Sequence, residues 1–203
     1  TREMPDVMRT TADSFRPIDV RLGPDGALYV ADWSNPIIQH GEVDFRDPRR
    51  DKSHGRIWRI SVKGRAPLPR ADLTRLANRE LLDRLAGPNG YDQEQARRVL
   101  VERGAVAVGP DLEAWAARQT TEPAKLQALW LRQAFNANPA DSAGLLAAQD
   151  PRVRAAAVRA LPAEGALPRL EKLVTDPHPR VRLEAVRALG RQGSARAAEL
   201  ALS

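Results

Sequence analysis

Side chains that could do chemistry are concentrated between Trp33 and Gly55, a stretch with neither a strand period nor a helix period. Imidazole and carboxylate groups there could bind a metal ion or act as acid and base beside a substrate. Two adjacent guanidinium groups could hold an anion through bidentate hydrogen bonds. A long insertion at the rim of a sheet is a common place for residues that face a substrate or cofactor. The candidate residues are His40, Glu42, Asp44, Arg46, Arg49, Arg50 and His54.

A structural explanation competes with each chemical one. The acidic side chains of this stretch are interspersed with four basic ones, so the segment could be a solvated loop whose charges pair with one another. The spacings His-x-His and His-Glu-x-x-His, which are typical of metal sites, do not occur. We therefore assign no metal site and no catalytic residue, and His40 and His54 are the side chains that a metal would use. Metal binding, substrate or cofactor contact and loop structure all remain open.

The elements around this stretch are strands. Apolar residues alternate with polar ones on both sides of the Pro-Asp-Gly turn at residues 24–26. An Asp-Gly pair in that position predicts a tight hairpin with positive φ at both central residues. A third alternating run lies at residues 55–62. We predict three or four antiparallel strands, with Trp33 and Trp58 in their core.

Such a small sheet leaves two open edges and one uncovered apolar face. A β-propeller solves both problems by arranging four-stranded sheets around a channel. Residues 15–36 combine a proline before a short strand, a Gly-Pro-Asp-Gly turn, Leu-Tyr-Val-Ala-Asp-Trp and Asn-Pro. This order resembles a propeller blade of the NHL type. We predict that residues 1–65 form a terminal β-propeller blade, with residues 34–54 inserted at its rim.

The period changes to about 3.6 residues after a proline-containing linker at residues 66–70. Leucines between Leu73 and Leu85 belong to a first helix, which ends before Gly87-Pro88 because proline cannot continue a helix. Residues 71–203 are thus predicted to be helical throughout. Further helices are predicted at residues 92–103, 111–119, 123–135, 139–148, 151–161, 165–175, 179–189 and 194–202.

An internal repeat orders the last helices. The pattern Asp-Pro, Val-Arg and Ala-Val-Arg-Ala-Leu occurs twice, and Val153 of the first copy corresponds to Val181 of the second. This motif resembles the short form of the HEAT-like repeat, which implies contacts to other proteins or domains. The predicted fold class is therefore an α+β multidomain fragment, an antiparallel β-propeller blade followed by an all-α HEAT-like solenoid. The structural residues of the repeat are Asp150 and Asp176 as helix caps, and Arg154 and Arg182 as links to carboxylates or helix ends of successive repeats.

The amino-acid composition of the chain limits the classes of molecule that we expect it to bind. The net charge is +6, with 12 basic and 10 acidic residues up to residue 65 and 20 basic and 16 acidic residues after it, so the excess is not concentrated. Aromatic residues make up 4% of the chain and no nucleic-acid motif occurs, so we predict no nucleic-acid partner. No apolar run reaches the roughly eighteen residues of a membrane span. The lack of cysteine excludes disulfides and covalent haem attachment within these residues, and both ends are taken as cut ends.

A narrower resemblance rests on four strings within residues 1–65. FRPIDV, GPDGALY, HGEVDFRDPRRD and HGRIWR are similar to the large secreted proteins of planctomycetes and verrucomicrobia that are named membrane-bound dehydrogenases. In that family a propeller akin to sugar dehydrogenases precedes HEAT-like repeats, and a cytochrome c domain with a Cys-x-x-Cys-His motif follows. The candidate residues between His40 and His54 match its rim motif, whereas Ser34 and Gln39 depart from its pattern.

The resemblance implies oxidation of a sugar-like or alcohol substrate in the periplasm or outside the cell, with electrons passed to haem c. The haem belongs to a part beyond these residues, so this segment is expected to hold no cofactor, while pyrroloquinoline quinone is compatible with such a propeller. Enzyme activity is left open, because the segment contains no complete active site. The alternative is a scaffold without catalysis that binds proteins or glycans.

Overall fold

The computed structural model describes residues 3–37, 44, 46–137 and 142–202. The chain divides into two compact units, Thr1–Ala71 and Asp72–Ser203, and each is described by itself. Within the described residues the first unit contains a three-stranded antiparallel sheet and the second contains helices. The predicted α+β class is confirmed.

The sheet has the strand order β1, β2, β3, with antiparallel pairing throughout. Its strands are β1 (Pro17–Leu22), β2 (Leu28–Asp32) and β3 (Arg56–Ile60). Val20, Val30 and Trp58 lie opposite one another across the three strands. The prediction of three antiparallel strands is confirmed, because alternating β-branched and aromatic residues suit a pleated surface with two unlike faces.

The turn between β1 and β2 differs from the predicted one. Gly26 has a φ of 76°, whereas Asp25 does not have a positive φ. The Gly26 N–H donates to the Gly23 carbonyl oxygen at 3.1 Å, and the Gly23 N–H donates to the Ala27 carbonyl oxygen at 2.8 Å. Proline is held near a φ of about −65°, which suits the first central position of a type I turn. Pro24 therefore shifts the turn by one residue and leaves Gly26 in the left-handed position.

One face of the sheet is apolar and exposed. At its centre Val30 is 5% exposed, but Val20 is 55% and Trp58 is 38% exposed. Trp33 is 37% exposed, so the prediction that Trp33 and Trp58 lie in the core is wrong for this unit. A single layer of three strands supplies no second layer to cover them. We call this surface the apolar sheet face; its rows are Val20, Val30 and Trp58, and next to them Leu22, Leu28 and Ile60.

The opposite face of the sheet is polar and internally bonded. The Asp25 carboxylate accepts hydrogen bonds from Arg59 Nε at 2.7 Å and from the Tyr29 hydroxyl at 3.3 Å. The hydrogen bond from Arg59 is the main reason why the pKa of Asp25 lies below its usual value. Ile57 is an apolar residue on this face and is 75% exposed. The two faces therefore differ sharply in chemistry.

Helices make up the second unit, after a 3-10 turn at Leu73–Arg75. Caps at their starts follow from local sequence: Asn89, for example, precedes α2 and its side-chain oxygen accepts from the Tyr91 N–H at 3.0 Å. The helices are α1 (Asn78–Leu85), α2 (Gly90–Arg103), α3 (Ala105–Ala116), α4 (Glu122–Ala134), α5 (Ser142–Leu146), α6 (Pro151–Arg159), α7 (Leu167–Leu173), α8 (Pro179–Leu189) and α9 (Ala195–Leu202).

Helix boundaries differ most from the prediction at α3. The helix begins at Ala105 rather than at residue 111 and contains Pro110 in its interior. The break from α2 is made by Gly104, whose φ of 85° is a conformation that other residues avoid. A proline inside a helix removes one backbone hydrogen bond. The burial of Val108 and Leu112 on the same helix offsets that loss.

Three apolar clusters follow one another along the helical unit. The first lies among α1 to α4, the second among α4 to α6, and the third among α6 to α9. Helices α4 and α6 each contribute to two clusters, so every cluster is shared by neighbours along the chain. This nearest-neighbour packing is the arrangement of helical repeat proteins.

Candidate functional site

The segment between β2 and β3 is anchored by Asp32. Its carboxylate accepts hydrogen bonds from the backbone N–H groups of Arg16 (2.8 Å) and Ser34 (2.9 Å) and from Trp58 Nε1 (2.8 Å). Arg56 Nε lies 2.9 Å from the same carboxylate, whose side chain is completely buried. Burial raises the pKa of Asp32, but the hydrogen bonds outweigh it and hold the pKa below its usual value. Asp32 is therefore a buried, charged anchor of the sheet end.

The chain leaves this anchor through tight local turns. Ser34 is buried and has a φ of 55°, an unusual conformation for a residue with a side chain. Asn35 is 1% exposed, and its side-chain oxygen accepts from the Ile37 N–H at 3.0 Å. Sequence reasoning missed Asp32 as a structural centre. The available signal was an acid at the very end of an apolar strand, because a buried carboxylate must be paired.

Asp47 and Arg49 form the first charged pair in the described part of the inserted segment. Asp47 Oδ2 and Arg49 Nη2 are 2.7 Å apart, and Asp47 Oδ1 also accepts from the Arg49 backbone N–H at 2.9 Å. The hydrogen bonds from the Arg49 side chain are the main cause that lowers the pKa of Asp47 to about 2. Just before it, the Asp44 side chain accepts from the Arg46 backbone N–H at 2.8 Å. These carboxylates stabilise turns of their own loop.

The two adjacent arginines make different hydrogen bonds in the described part of the loop. Arg49 is directed to Asp47, whereas Arg50 Nε donates to the Asp44 carbonyl oxygen at 3.0 Å. Arg50 is 6% exposed, while the Arg49 side chain is 71% exposed. Among the described contacts, Arg50 therefore holds the loop backbone and Arg49 pairs with a carboxylate.

His54 and Asp51 form the second pair. His54 Nδ1 lies 3.0 Å from Asp51 Oδ2, and the His54 side chain is 76% exposed. The pKa of Asp51 is lowered to about 2, first by the hydrogen bond from the Ser53 backbone N–H and further by those from His54. A carboxylate that orients an accessible imidazole is an arrangement able to move protons.

The candidate residues are therefore only partly brought together. Asp44, Arg46, Arg49, Arg50 and His54 lie in short local turns, whereas His40 and Glu42 lie outside the described residues. In the described part of the chain no three metal-ligating side chains lie close enough to hold an ion. Among the described candidates, the geometry favours loop structure for the arginines and proton transfer for His54.

Structural residues of the helical repeat connect successive helices. Asp150 is the N-cap of α6, and its side chain accepts from the Arg152 N–H at 2.8 Å. Arg154 reaches forward to Asp176 with two hydrogen bonds of 2.9 Å, and backward to the Ala148 carbonyl oxygen at 2.8 Å. The Arg154 and Asp176 side chains are 14% and 8% exposed. This mostly buried pair joins one repeat to the next.

The start of α8 differs from the prediction. The N-cap is His178, whose Nδ1 accepts from the Arg180 N–H at 3.2 Å. Asp176 accepts instead from the His178 N–H at 2.8 Å, because it lies further from the start of its helix than Asp150 lies from the start of α6. Arg182 donates to the carbonyl oxygens of Asp176 (2.9 Å) and Pro177 (3.1 Å).

Glu184 is a second buried acid that sequence reasoning missed. It is 2% exposed and lies 2.6 Å from Arg159 of α6, with Arg180 and Arg187 of its own helix at 3.5 Å and 3.7 Å. The hydrogen bond from Arg159 is the main cause that holds the pKa of Glu184 below its usual value. The signal in the sequence was a pair of arginines at helical spacing on either side of one glutamate. Its role is to bind α8 to α6.

A cleft of about 400 Å³ lies beside α3, α4 and α5. Two of the charged groups that line it serve the fold. Glu122 accepts from the backbone N–H groups of Gln149 (2.6 Å) and Asp150 (3.1 Å), and Arg132 pairs with Glu113 at 2.6 Å. Lys125 is a third charged residue of the lining. None of the helices in the described ranges is both long and apolar enough to cross a membrane.

Comparisons with known proteins give different family matches for the two ends of the chain. Residues 1–64 match a family described as a domain of unknown function (DUF7133). No curated protein and no solved structure is matched by the chain. Residues 142–203 match the family described as HEAT repeats, which supports the predicted repeat over α5 to α9. The helical end of the chain is thus similar to HEAT repeats, which commonly mediate contacts between proteins.

Proposed function

We propose that this chain is an interaction scaffold within a larger protein. The first unit acts as one blade of a β-propeller, and the helical unit holds a neighbouring protein or domain through its HEAT-like repeats. The observation that carries the proposal is the exposed apolar sheet face. A single-layer sheet is stable when a second layer packs on such a face. The residues on the polar face of the same sheet cannot form that layer.

The size of the exposed surface supports this proposal. Val20 is 55% and Leu22 40% exposed, and both lie on the apolar sheet face, while Ile18, at the irregularity between Pro17 and Asp19, is 68% exposed. Burying an aliphatic side chain contributes about 1.5 to 3 kcal/mol relative to leaving it in water. A second sheet stacked about 10 Å away would bury the whole row, because its side chains interdigitate with those of the first sheet. An adjacent propeller blade has this geometry.

The helical unit supports the scaffold role in a different way. Its buried charges, such as Asp176 and Glu184, are paired with arginines of neighbouring helices rather than directed into an open cavity. Such pairs fix the stacking of helices and leave the outer surfaces free for partners. Protein contact is therefore the function that the helical geometry favours.

Photo-crosslinking would test the role of the sheet. A photoreactive amino acid replaces Val20 on the apolar sheet face, in a protein expressed from the gene read beyond both ends of these residues. Val106, which is 95% exposed near the start of α3 and lies outside the sheet, is the control position. We expect crosslinks from position 20 to strands of the same polypeptide and few to strands from position 106. Equal yields of crosslinks to strands from the two positions, or none from position 20, would contradict the proposal.

A second candidate is oxidation of a sugar-like or alcohol substrate outside the cytoplasm, with electrons passed to haem c in another part of the protein. It is favoured by the His54 imidazole, held by Asp51 and largely accessible, together with the resemblance of the surrounding motif. The described residues would contribute proton transfer and no cofactor ligand.

Two measurements would test this candidate. The reading frame after Ser203 should contain a Cys-x-x-Cys-His motif, and more helical repeats up to the end of the protein would count against it. His54→Ala should reduce dye-linked sugar oxidation by the intact protein roughly 100-fold or more, as expected for loss of an acid–base group. His178→Ala, which removes a helix cap far along the sequence, is the control. Unchanged turnover in His54→Ala would contradict this candidate and indicate a structural role for the segment between β2 and β3.

A further inference from the structure

Helices α6 and α8 are successive copies of one pattern, in which Val153 corresponds to Val181. In both copies one side of the helix packs on the preceding helices. Val153 and Ala157 of α6 belong to the cluster with α4 and α5, and their equivalents Val181 and Ala185 belong to the cluster with α6 and α7. All four are at most 5% exposed. The backward-facing sides of the two helices are thus equally covered.

The forward-facing sides of the two helices differ. In α6, Ala155 and Val158 are 4% and 0% exposed, because α8 of the next repeat packs over them. Their equivalents in α8 are Leu183 and Val186, which are 50% and 38% exposed. The residue type is apolar in all four positions. The difference in burial therefore reflects what lies over each helix and not the chemistry of the helix itself.

Arg182 repeats the geometry of Arg154 without its carboxylate. Nη1 of Arg154 donates to the carbonyl oxygens of Ala148 and Gln149, and its other nitrogens pair with Asp176, further along the chain. Nη1 of Arg182 donates to the carbonyl oxygens of Asp176 and Pro177. These residues lie six and five positions before Arg182, as Ala148 and Gln149 do before Arg154. No carboxylate within the described ranges forms an ion pair with Arg182. The guanidinium is oriented for a partner of the Asp176 type.

We propose that this surface, which we call the α8 seam and define by Arg182, Leu183 and Val186, is the docking surface for a further helical repeat of the same polypeptide. The incoming repeat presents a carboxylate to Arg182 and a small, apolar helix side to Leu183 and Val186. If the carboxylate of the incoming repeat follows Arg182 at the same spacing at which Asp176 follows Arg154, it belongs to the residue directly after Ser203. The inference deepens the scaffold role proposed for the helical unit and rests on it.

Charge and packing both favour a further repeat over a second copy of this chain. A second copy would have to offer the backward-facing side of α6 or α8. Those sides are already buried inside each copy, with Val153, Ala157, Val181 and Ala185 at most 5% exposed. Using them would require the helices of that copy to separate. A new repeat brings its own uncovered side, as α8 does for α6.

Appending one repeat to the chain tests the docking surface directly. A second copy of residues 176–203 is added after Ser203, so that its aspartate follows Arg182 at the same interval at which Asp176 follows Arg154. Hydrogen exchange of the amides of α8 and the thermal midpoint Tm are measured before and after the addition. We expect exchange in α8 to slow about tenfold or more and Tm to rise by roughly 5 °C, because each repeat covers its neighbour.

Two variants separate specific docking from a general effect of added helix. Arg182→Met should lower Tm at least twice as much in the extended protein as in the chain that ends at Ser203, where it loses only two carbonyl contacts and should lower Tm by roughly 2 to 4 °C. Replacing the appended copy of Asp176 by alanine should have the same effect as Arg182→Met, and the two changes together should not add.

Several results would overturn the proposal. These are an appended repeat that gains no helicity, unchanged exchange in α8, and equal effects of Arg182→Met with and without the addition. Self-association of the chain that ends at Ser203, if Leu183→Asp abolishes it, would assign the α8 seam to a second copy instead. The sheet-based crosslinking is independent of all these outcomes, so that failure here and failure of the proposed propeller role can be distinguished.

Discussion

Arg154→Met offers the sharpest test of how the repeats are joined. The substitution keeps an unbranched apolar stem but removes the guanidinium, which makes two hydrogen bonds of 2.9 Å to Asp176 and two to backbone carbonyl oxygens. Arg182→Met is the matched control. It occupies the equivalent position in α8, and it loses two carbonyl contacts of the same kind but no carboxylate contact.

The magnitude follows from burial. The Arg154 and Asp176 side chains are 14% and 8% exposed, so the substitution leaves a nearly buried carboxylate with the His178 N–H as its remaining strong partner. Breaking a buried ion pair typically costs about 3 to 5 kcal/mol, and slight exposure places this pair near about 3 kcal/mol. Arg182→Met loses exposed hydrogen bonds and should cost about 1 kcal/mol, so the expected difference is about 2 kcal/mol.

This difference should depend on pH in a defined direction. The hydrogen bonds from Arg154 are the main cause that lowers the pKa of Asp176 in the folded protein. A carboxyl group with a lowered folded pKa adds stability above its unfolded pKa of about 4, and the contribution is lost as pH falls through the folded pKa. The two variants should therefore differ by a constant amount from pH 7 to about 5, and should converge in stability below about pH 4.

Urea denaturation followed by circular dichroism measures the free energy of unfolding of each variant from the midpoint and slope of the transition. Native-state hydrogen exchange of α6 and α8 shows whether the loss is local to this junction. If Arg154→Met and Arg182→Met cost the same at pH 7, or if their difference does not change with pH, Asp176 does not join the repeats in the way described.

Three further predictions concern the sheet and the segment that follows β2. Asp32→Ala should destabilise the sheet by about 3 kcal/mol, because it leaves buried donors unpaired, and hydrogen exchange of the strands measures this loss. Val30→Thr should cost about 2 kcal/mol in the same assay, whereas Val20→Thr should cost less than about 0.5 kcal/mol, since the first is 5% and the second 55% exposed; equal costs would contradict the assigned faces. NMR titration should give a pKa of about 2 for Asp51, and His54→Ala should raise it; a value near that of a free aspartate would refute the described turn.

The sequence alone predicted much of the fold because its signals are local. Alternation of apolar residues predicted the strands, and the change of period after residue 70 predicted the helices. The internal repeat predicted that α6 and α8 are equivalent, and the family match at residues 142–203 agrees with it. Where local signals compete, the prediction was wrong: Pro24 shifted the hairpin turn, and α3 begins directly after Gly104 rather than at residue 111.

The candidate site depended more on the tertiary structure. The sequence identified the charged segment after β2, but it could not choose between an anion clamp and a self-paired loop. Among the described contacts, the structure directs Arg49 to Asp47 and the Nε of Arg50 to a backbone carbonyl oxygen. It also left His54 accessible beside Asp51. Side-chain direction decides these outcomes, and spacing along a loop does not determine it.

Contacts between residues far apart in sequence were decided only by the tertiary structure. Asp32 of β2 meets Trp58 of β3, and Arg154 of one repeat meets Asp176 of the next. Spacing determines which side chains share a face of a strand or helix, because that depends on the local period of the backbone. Whether the face is then covered depends on the neighbouring layer. For this reason Ala155 and Leu183 are equivalent in the sequence pattern, yet one is buried and the other is open.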